Sequence, residues 1–339
     1  MIDFAISKDA SDLHISESLP LSLRIDGKLL HYPEMGQFTH EQLDTLIKSL
    51  LSVQKNQAFA KKEETDFSFQ HHDGSALRGN AYLKFNKLAL ALRLLPKRIR
   101  GLKEIGIPEA IYDLLDARQG LILIAGPTGS GKSTSMAAML QYLNENYVYH
   151  IITIEDPIEY VFTNQKAIFS QREIGADTNS YALALRASLR EDPDVVVISE
   201  MRDAETMNAA ITISETGHLV FGTLHTSGAP HTISRIVSGF PAHQHEEVQA
   251  RIAESLLCVL SQRLVPSKEG KLIAVFELMI NNPAAANLIR TGELHQLDNV
   301  IQTNLAAGMV SMRQSLREMV TKGVIEEDEA RRILTDFES

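Results

Sequence analysis

The run Gly126-Pro127-Thr128-Gly129-Ser130-Gly131-Lys132-Ser133 matches the pattern G-x-x-x-x-G-K-[ST]. Its chemistry is phosphate binding. Glycines let the backbone curl until successive N–H groups face one anion, and the start of a helix adds partial positive charge. Lys132 can reach the β- and γ-phosphates of a nucleoside triphosphate such as ATP, the Ser133 hydroxyl can ligate Mg²⁺, and Thr134 extends the set. Such a site also needs an acid. Asp194-Val195-Val196-Val197-Ile198-Ser199-Glu200 supplies one. Its four apolar residues carry a strand and leave Glu200 at the carboxyl edge, where parallel sheets bind ligands. Glu200 there either holds Mg²⁺, directly or through water, or polarises the attacking water. A second acidic cluster, Glu155-Asp156-Pro157-Ile158-Glu159, follows another apolar run. Pro157 stops the strand. Three acids crowded at one edge are expected to raise one carboxylate's pKa and make it a usable base. His218 in Thr216-Gly217-His218 and His225 in Thr223-Leu224-His225-Thr226 flank a further apolar run and read as γ-phosphate sensors or relays.

The elements that must position these groups are legible as patterns. Leu121–Ala125, His150–Ile154, Asp194–Ser199 and His218–Thr223 are short apolar runs separated by helical segments, the first helix spanning Ser133–Leu143. Buried runs alternating with helices predict a parallel sheet covered on both faces. From Pro241 the pattern reads as helical, over about Glu246–Leu264, Ala284–Arg290, Met312–Lys322 and Glu326–Phe337. The first part of the chain differs. Ser11–Ile15 and Leu21–Ile25 alternate, Asp26-Gly27 makes a turn and Lys28–Leu30 resumes, which predicts a hairpin. Thr39 N-caps one helical pattern running to about Ala60, and Asp66–Gln70, Ala76–Leu83 and Leu88–Leu94 read as strands. The expected domains are a small α+β domain over 1–96, a linker rich in Lys, Arg and Gly over 97–108, and an α/β domain over 109–339.

The chain has 339 residues, 44% hydrophobic and 22% charged, which excludes disordered and collagen-like classes. Its one cysteine, Cys258, excludes an intramolecular disulfide and a cysteine zinc cluster, and fits a reducing compartment. No apolar run reaches the ~18 residues that span a bilayer, so any membrane role is peripheral. The net charge of −10 argues against generic nucleic-acid binding. That charge is uneven: residues 1–100 carry +2 and residues 101–339 carry −12, and no acid lies between Gly74 and Lys103. The basic stretch holds Arg78, Lys84, Lys87, Arg93, Lys97, Arg98, Arg100 and Lys103.

The glycine-rich loop, EDPIE, the strand ending in Glu200 with Met201-Arg202-Asp203, and TGH…TLHT, in this order, resemble the secretion ATPase superfamily, and within it the type IV pilus retraction ATPases. The resemblance runs from SDLHI at Ser11 to the C-terminal helices. It implies a homohexameric ring of two-domain subunits, each with a PAS-like N-terminal domain and a RecA-like P-loop ATPase domain. The ring would hydrolyse ATP with Mg²⁺ to power pilus retraction and twitching motility. It would act in the cytoplasm, peripheral to the inner membrane, against a pilus platform protein. The resemblance assigns Lys132 and Ser133 to Walker A, Glu200 to Walker B and Glu159 to the Asp box as catalytic base. It places His225 in the His box with His218 just before it. It pairs Arg78 with Arg93 and Arg186 with Arg190 as arginines that swing onto the triphosphate.

Three departures stand out. Ser199 replaces the glycine that precedes the Walker B acid. The C-terminal AIRNLIRE motif, tied to retraction rather than hydrolysis, reads Ala284-Ala285-Ala286-Asn287-Leu288-Ile289-Arg290-Thr291. The chain begins slightly short, so its first helix is expected to be trimmed. Two rival readings are an assembly or type II secretion ATPase, opposed by the missing tetracysteine motif, and a nucleic-acid-translocating RecA-like motor, opposed by the pI of 5.7.

Overall fold

The computed structural model describes residues 1–25 and 27–338. They form two compact units: Met1–Arg98 together with Pro157–Val161, and Ile99–Asp156 together with the chain from Phe162 onward.

Among the described residues the first unit is an antiparallel sheet of six strands in the order β3-β2-β1-β6-β5-β4. The strands are β1 (Asp12–Ser16), β2 (Pro20–Ile25), β3 (Lys28–Gln37), β4 (Thr65–Gln70), β5 (Ala76–Lys84) and β6 (Lys87–Leu94). Side chains alternate between faces with a period of two. Leu13, Leu23 and Leu92 stand opposite one another on the buried face, packed with Leu43 and Ile47 of the helix His40–Leu50. Register puts Arg24, Asp12, Arg93 and Arg78 in one row across β2, β1, β6 and β5 on the other face.

Two local expectations change. Strand β3 runs to Gln37; it contains Pro33, which a sheet edge tolerates because the outer face of an edge strand needs no donor. The helical pattern from Thr39 to Ala60 is two helices, His40–Leu50 and Val53–Ala60, because Leu51 is extended and Ser52 caps the second. Thr39 caps the first through a reciprocal pair with Gln42. Gly27 has φ of +77°, and the Asp26 half of the expected turn lies outside the described residues.

The second unit is an α/β fold built on a seven-stranded sheet in the order β13-β12-β7-β11-β10-β8-β9 among the described residues. The strands are β7 (Gly120–Ala125), β8 (His150–Glu155), β9 (Ile168–Glu173), β10 (Val195–Ile198), β11 (Leu219–Leu224), β12 (Leu256–Pro266) and β13 (Leu272–Ile280). All pairings are parallel except that of β13 with β12. Alternate residues of β7 enter opposite cores, Leu121, Leu123 and Ala125 on one face and Ile122 and Ile124 on the other. A strand buried on both faces has no polar side, which is why it reads as an unbroken apolar run.

The same physics corrects the expected helix over Glu246–Leu264. The helix His245–Ser255 stops, and Leu256 onward forms β12. Periodicity alone does not separate a short buried strand from a buried helical turn. Strands β9 and β13 were not expected. The stretch read as a linker holds a one-turn helix, Leu102–Ile105, whose Leu102 is buried and whose end is closed by Gly106 at φ +75°.

Candidate active site

Sheet order explains why the chemistry converges. Strands β7, β11 and β10 are consecutive neighbours, and each ends at the same edge. The glycine-rich loop follows β7, His225 follows β11, and Glu200 follows β10. Neighbouring strands lie about 4.8 Å apart, so three segments distant in sequence line up across two strand spacings.

The loop is built for close approach to an anion. Gly126, Gly129 and Gly131 have φ of +152°, +78° and +87°. A Cβ on Gly126 would come within 2.5 Å of the Gln262 carbonyl oxygen, and one on Gly131 within 2.8 Å of Gln262 Nε2. The loop is thus pressed against β12 and admits no side chain at either position. The helix Lys132–Asn146 starts from Gly131 with no side-chain cap, so its leading N–H groups face the loop. Ser130 Oγ is buried without a hydrogen-bond partner. A glycine cradle, an uncapped helix start and a buried unpartnered hydroxyl together fit a phosphate group.

Lys132 is buried and donates to the carbonyl oxygens of Gly126 at 2.7 Å and Pro127 at 3.1 Å. Its Nζ lies 3.4 Å from His225 Nδ1, which is also 3.4 Å from Thr128 Oγ1. An ammonium can only donate, so Nδ1 accepts and the ring proton sits on Nε2. Nε2 lies 3.2 Å from Glu200 Oε1, the geometry for donation to a carboxylate. His225 therefore bridges the loop lysine and the acid of β10. The other Glu200 oxygen accepts from Arg202 at 2.8 Å. That hydrogen bond holds the Glu200 carboxyl below its ordinary value, outweighing burial, with His225 adding to it. Arg202 also stands 4.0 Å from Asp156.

In the acidic cluster, Glu155 accepts from Thr153 at 2.6 Å and Gln171 at 3.1 Å, Asp156 faces Arg202, and the exposed Glu159 belongs to the segment grouped with the first unit.

A cavity of about 490 Å³ adjoins the loop, bordered by Gly131 and Thr134, by the apolar Leu264, Leu272 and Met319, and by Arg100 and Lys103. Its volume and mixed lining suit a planar base with its sugar. Sequence reasoning missed this cavity because its lining comes from five separate segments. The signal in view was the tail of the basic stretch.

Other expected site residues lie elsewhere. His218 precedes β11, so a strand of six residues, roughly 20 Å at about 3.3 Å each, separates it from His225. Its Nδ1 contacts the Ile213 carbonyl. Arg186 pairs with Glu205 on the helix Ala204–Glu215, and Arg190 lies beyond the helix Tyr181–Ser188, toward the start of β10. Within one chain these three do not join the Lys132–His225–Glu200 line.

Residues 1–274 match the family described as Type II/IV secretion system protein. The chain belongs to this family. A relative from Pseudomonas aeruginosa named type IV pilus retractation ATPase PilT is 41% identical over 331 residues, covering 98% of this chain and 96% of that protein. One from Escherichia coli, named uncharacterized protein YggR, is 41% identical over 323 residues, covering 95% and 98%. A crystal structure of the pilus retraction motor PilT with bound ADP superposes with a TM-score of 0.91 at 43% identity, covering 97% of this chain and 94% of that one.

In this type II/IV secretion system protein the residue before Glu200 is Ser199. Its hydroxyl is taken up by Tyr181 at 2.6 Å, so the extra polar atom is partnered. Residues 284–291 lie in the helix Pro283–Thr291, capped by Asn282 and closed by Gly292 at φ +76°. Ala285 and Ile289 are buried, while Asn287, Arg290 and Thr291 face solvent.

Proposed function

We propose that this chain is the ATP-hydrolysing motor of type IV pilus retraction. It works as a ring of six subunits at the cytoplasmic side of the inner membrane, against an integral platform protein of the pilus machinery. The observation that carries the ATPase reading is the Lys132–His225–Glu200 line across the ends of β7, β11 and β10. The relatives named for pilus retraction, alike over nearly the full chain, support the direction of work. No described helix is long and apolar enough to cross a membrane, which suits a motor acting through a separate membrane partner.

In this reading the amides of Gly129 to Ser133 and the Lys132 ammonium hold the β- and γ-phosphates. Lys132 exchanges the carbonyls of Gly126 and Pro127 for phosphate oxygens, a pairing in which both partners are charged and which is therefore stronger. Ser133 and Glu200 are the residues that would hold Mg²⁺, whose charge offsets that developing on the phosphoryl oxygens. Glu159 serves as the general base for water, and His225 reports the γ-phosphate to Glu200. Arg78 and Arg93, and Arg186 and Arg190, supply further positive charge to the triphosphate in the ring. Such arginines are worth roughly 10³–10⁵ in rate.

The test is ATP turnover and nucleotide binding on purified hexamers. Lys132→Ala should lose turnover and weaken ATP strongly. Glu200→Gln should keep binding and lose hydrolysis. Substantial turnover in either variant would overturn the site. Restoration of twitching in a piliated strain lacking its retraction ATPase tests the direction separately.

A further inference from the structure

The first unit carries a second set of chemistry-bearing side chains that the motor reading does not use. Asp3, on the helix Ile2–Ser7, meets His71 and His72 at the turn between β4 and β5. Asp3 Oδ1 lies 2.9 Å from His71 Nε2 and 3.4 Å from His72 Nε2, and the three donor atoms fall within 4.8 Å of one another. We propose that Asp3, His71 and His72 form a transition-metal site, for Zn²⁺ or a similar borderline ion, that ties the N-terminal helix to the β4–β5 turn.

The geometry is close to what such an ion requires. Zinc bonds of about 2.0–2.1 Å in a tetrahedron set donor atoms roughly 3.3–3.4 Å apart. The Asp3–His72 separation already meets this, and Asp3–His71 needs a few tenths of an ångström. Two imidazoles and one carboxylate select Zn²⁺, Ni²⁺ or Cu²⁺ over Mg²⁺ or Ca²⁺, which prefer all-oxygen shells. Three protein donors leave a fourth position to water.

The placement is not what a continuous strand would give. Consecutive residues of a strand point to opposite faces, yet the His71 and His72 rings are 4.1 Å apart, tilted by 59°. The turn makes this possible, and the turn is itself fixed. Asp73 accepts from the Ser75 amide at 2.9 Å, the Ser75 hydroxyl at 2.8 Å and Lys97 at 2.8 Å. Gly74 takes φ +84°, its amide donates to the His71 carbonyl, and His71 N donates to the Ser75 carbonyl. Those bonds fix the backbone of the turn that carries both histidines and leave the Nε2 atoms out of it. Asp3 comes from 68 residues away. A plain His–Asp hydrogen bond would explain His71 but not the second imidazole on the same oxygen.

The test uses the full chain, its nucleotide site saturated with Mg²⁺ and ADP, titrated with Co²⁺ by visible absorption and with Zn²⁺ by calorimetry. One ion per chain should bind, and His72→Ala should weaken it at least about 10-fold, as should Asp3→Asn. His72 is 71% exposed, so its loss leaves the core untouched. His40→Ala, a histidine paired with Glu17 elsewhere in the unit, should change nothing. Zn²⁺ should also slow amide exchange in residues 3–8 of the wild type but not of His72→Ala. Equal affinity in wild type and His72→Ala, or no stoichiometric ion in the wild type, would overturn the site.

Discussion

Glu200 keeps its charge because of a neighbour two residues away. Arg202 donates to one carboxylate oxygen and His225 faces the other, while burial opposes ionisation. With Arg202 gone, burial is opposed by His225 alone, and the carboxyl moves up from where Arg202 holds it. Arg202→Ala should therefore shift the acid limb of the kcat/KM profile for ATP to higher pH, because at a given acid pH more Glu200 is protonated. An acid limb unmoved by the substitution would show that Glu200 ionisation does not govern it. The loop residues Gly126–Ser133 and Glu200 were legible in the sequence because their chemistry depends on local spacing. The Lys132–His225 contact was not, because it depends on β11 lying between β7 and β10, and nothing in three similar apolar runs states their order. His218 was misplaced for a different reason: it precedes the apolar run that His225 follows, and the two ends of a strand lie at opposite edges of the sheet.

The helix Ala229–Ser238 follows the His225 loop and has no local side-chain cap. Glu277 of β13 reaches across 48 residues, and its Oε1 accepts from the Ala229 amide at 3.3 Å while Oε2 accepts from Met312 at 3.4 Å. This cap, and β13 itself, were invisible in the sequence, whose capping signals are local. Glu277 is 4% exposed, and burial pushes its carboxyl up to about 7. The folded chain thus keeps its proton while the unfolded chain releases it near 4.3. Between those values folding binds a proton, so this group's stabilisation is full below about pH 4.3 and falls as pH rises toward 7, by an amount on the order of 3 kcal/mol. Glu277→Gln should flatten that slope, so that the variant's melting midpoint changes less than the wild type's between pH 5 and 8. Parallel curves for the two proteins would mean that Glu277 does not titrate in this range.

At the scale of the whole molecule, charge is divided between the units, and the basic row on the first sheet is its sharpest expression. Arg78 and Arg93 stand directly opposite on β5 and β6, an arrangement that costs stability through repulsion. Asp12, the acid in this row, is taken by Arg93 at 2.7 Å, with Arg24 at 4.0 Å. Burial pushes the Asp12 carboxyl up, but the Arg93 and Ser11 hydrogen bonds outweigh it and the net direction is down. Three guanidinium groups against one carboxylate leave positive charge that an incoming polyphosphate can satisfy. The basic stretch was legible as composition. That two of its arginines face each other follows only from the β5–β6 register. This register also chooses the cleaner test. Arg93→Ala would strip the buried Asp12 of its nearest cation and mix stability with function, whereas Arg78→Ala relieves repulsion and should leave the unit at least as stable. If the row meets the triphosphate during the motor's cycle, Arg78→Ala in intact hexamers should weaken ATP more than ADP and cut turnover strongly. Arg78→Lys should rescue little, because an ammonium lacks the planar fork that grips two phosphate oxygens. Wild-type turnover in hexameric Arg78→Ala, with unchanged preference for ATP, would reduce the row to a solvated surface and remove it from the mechanism.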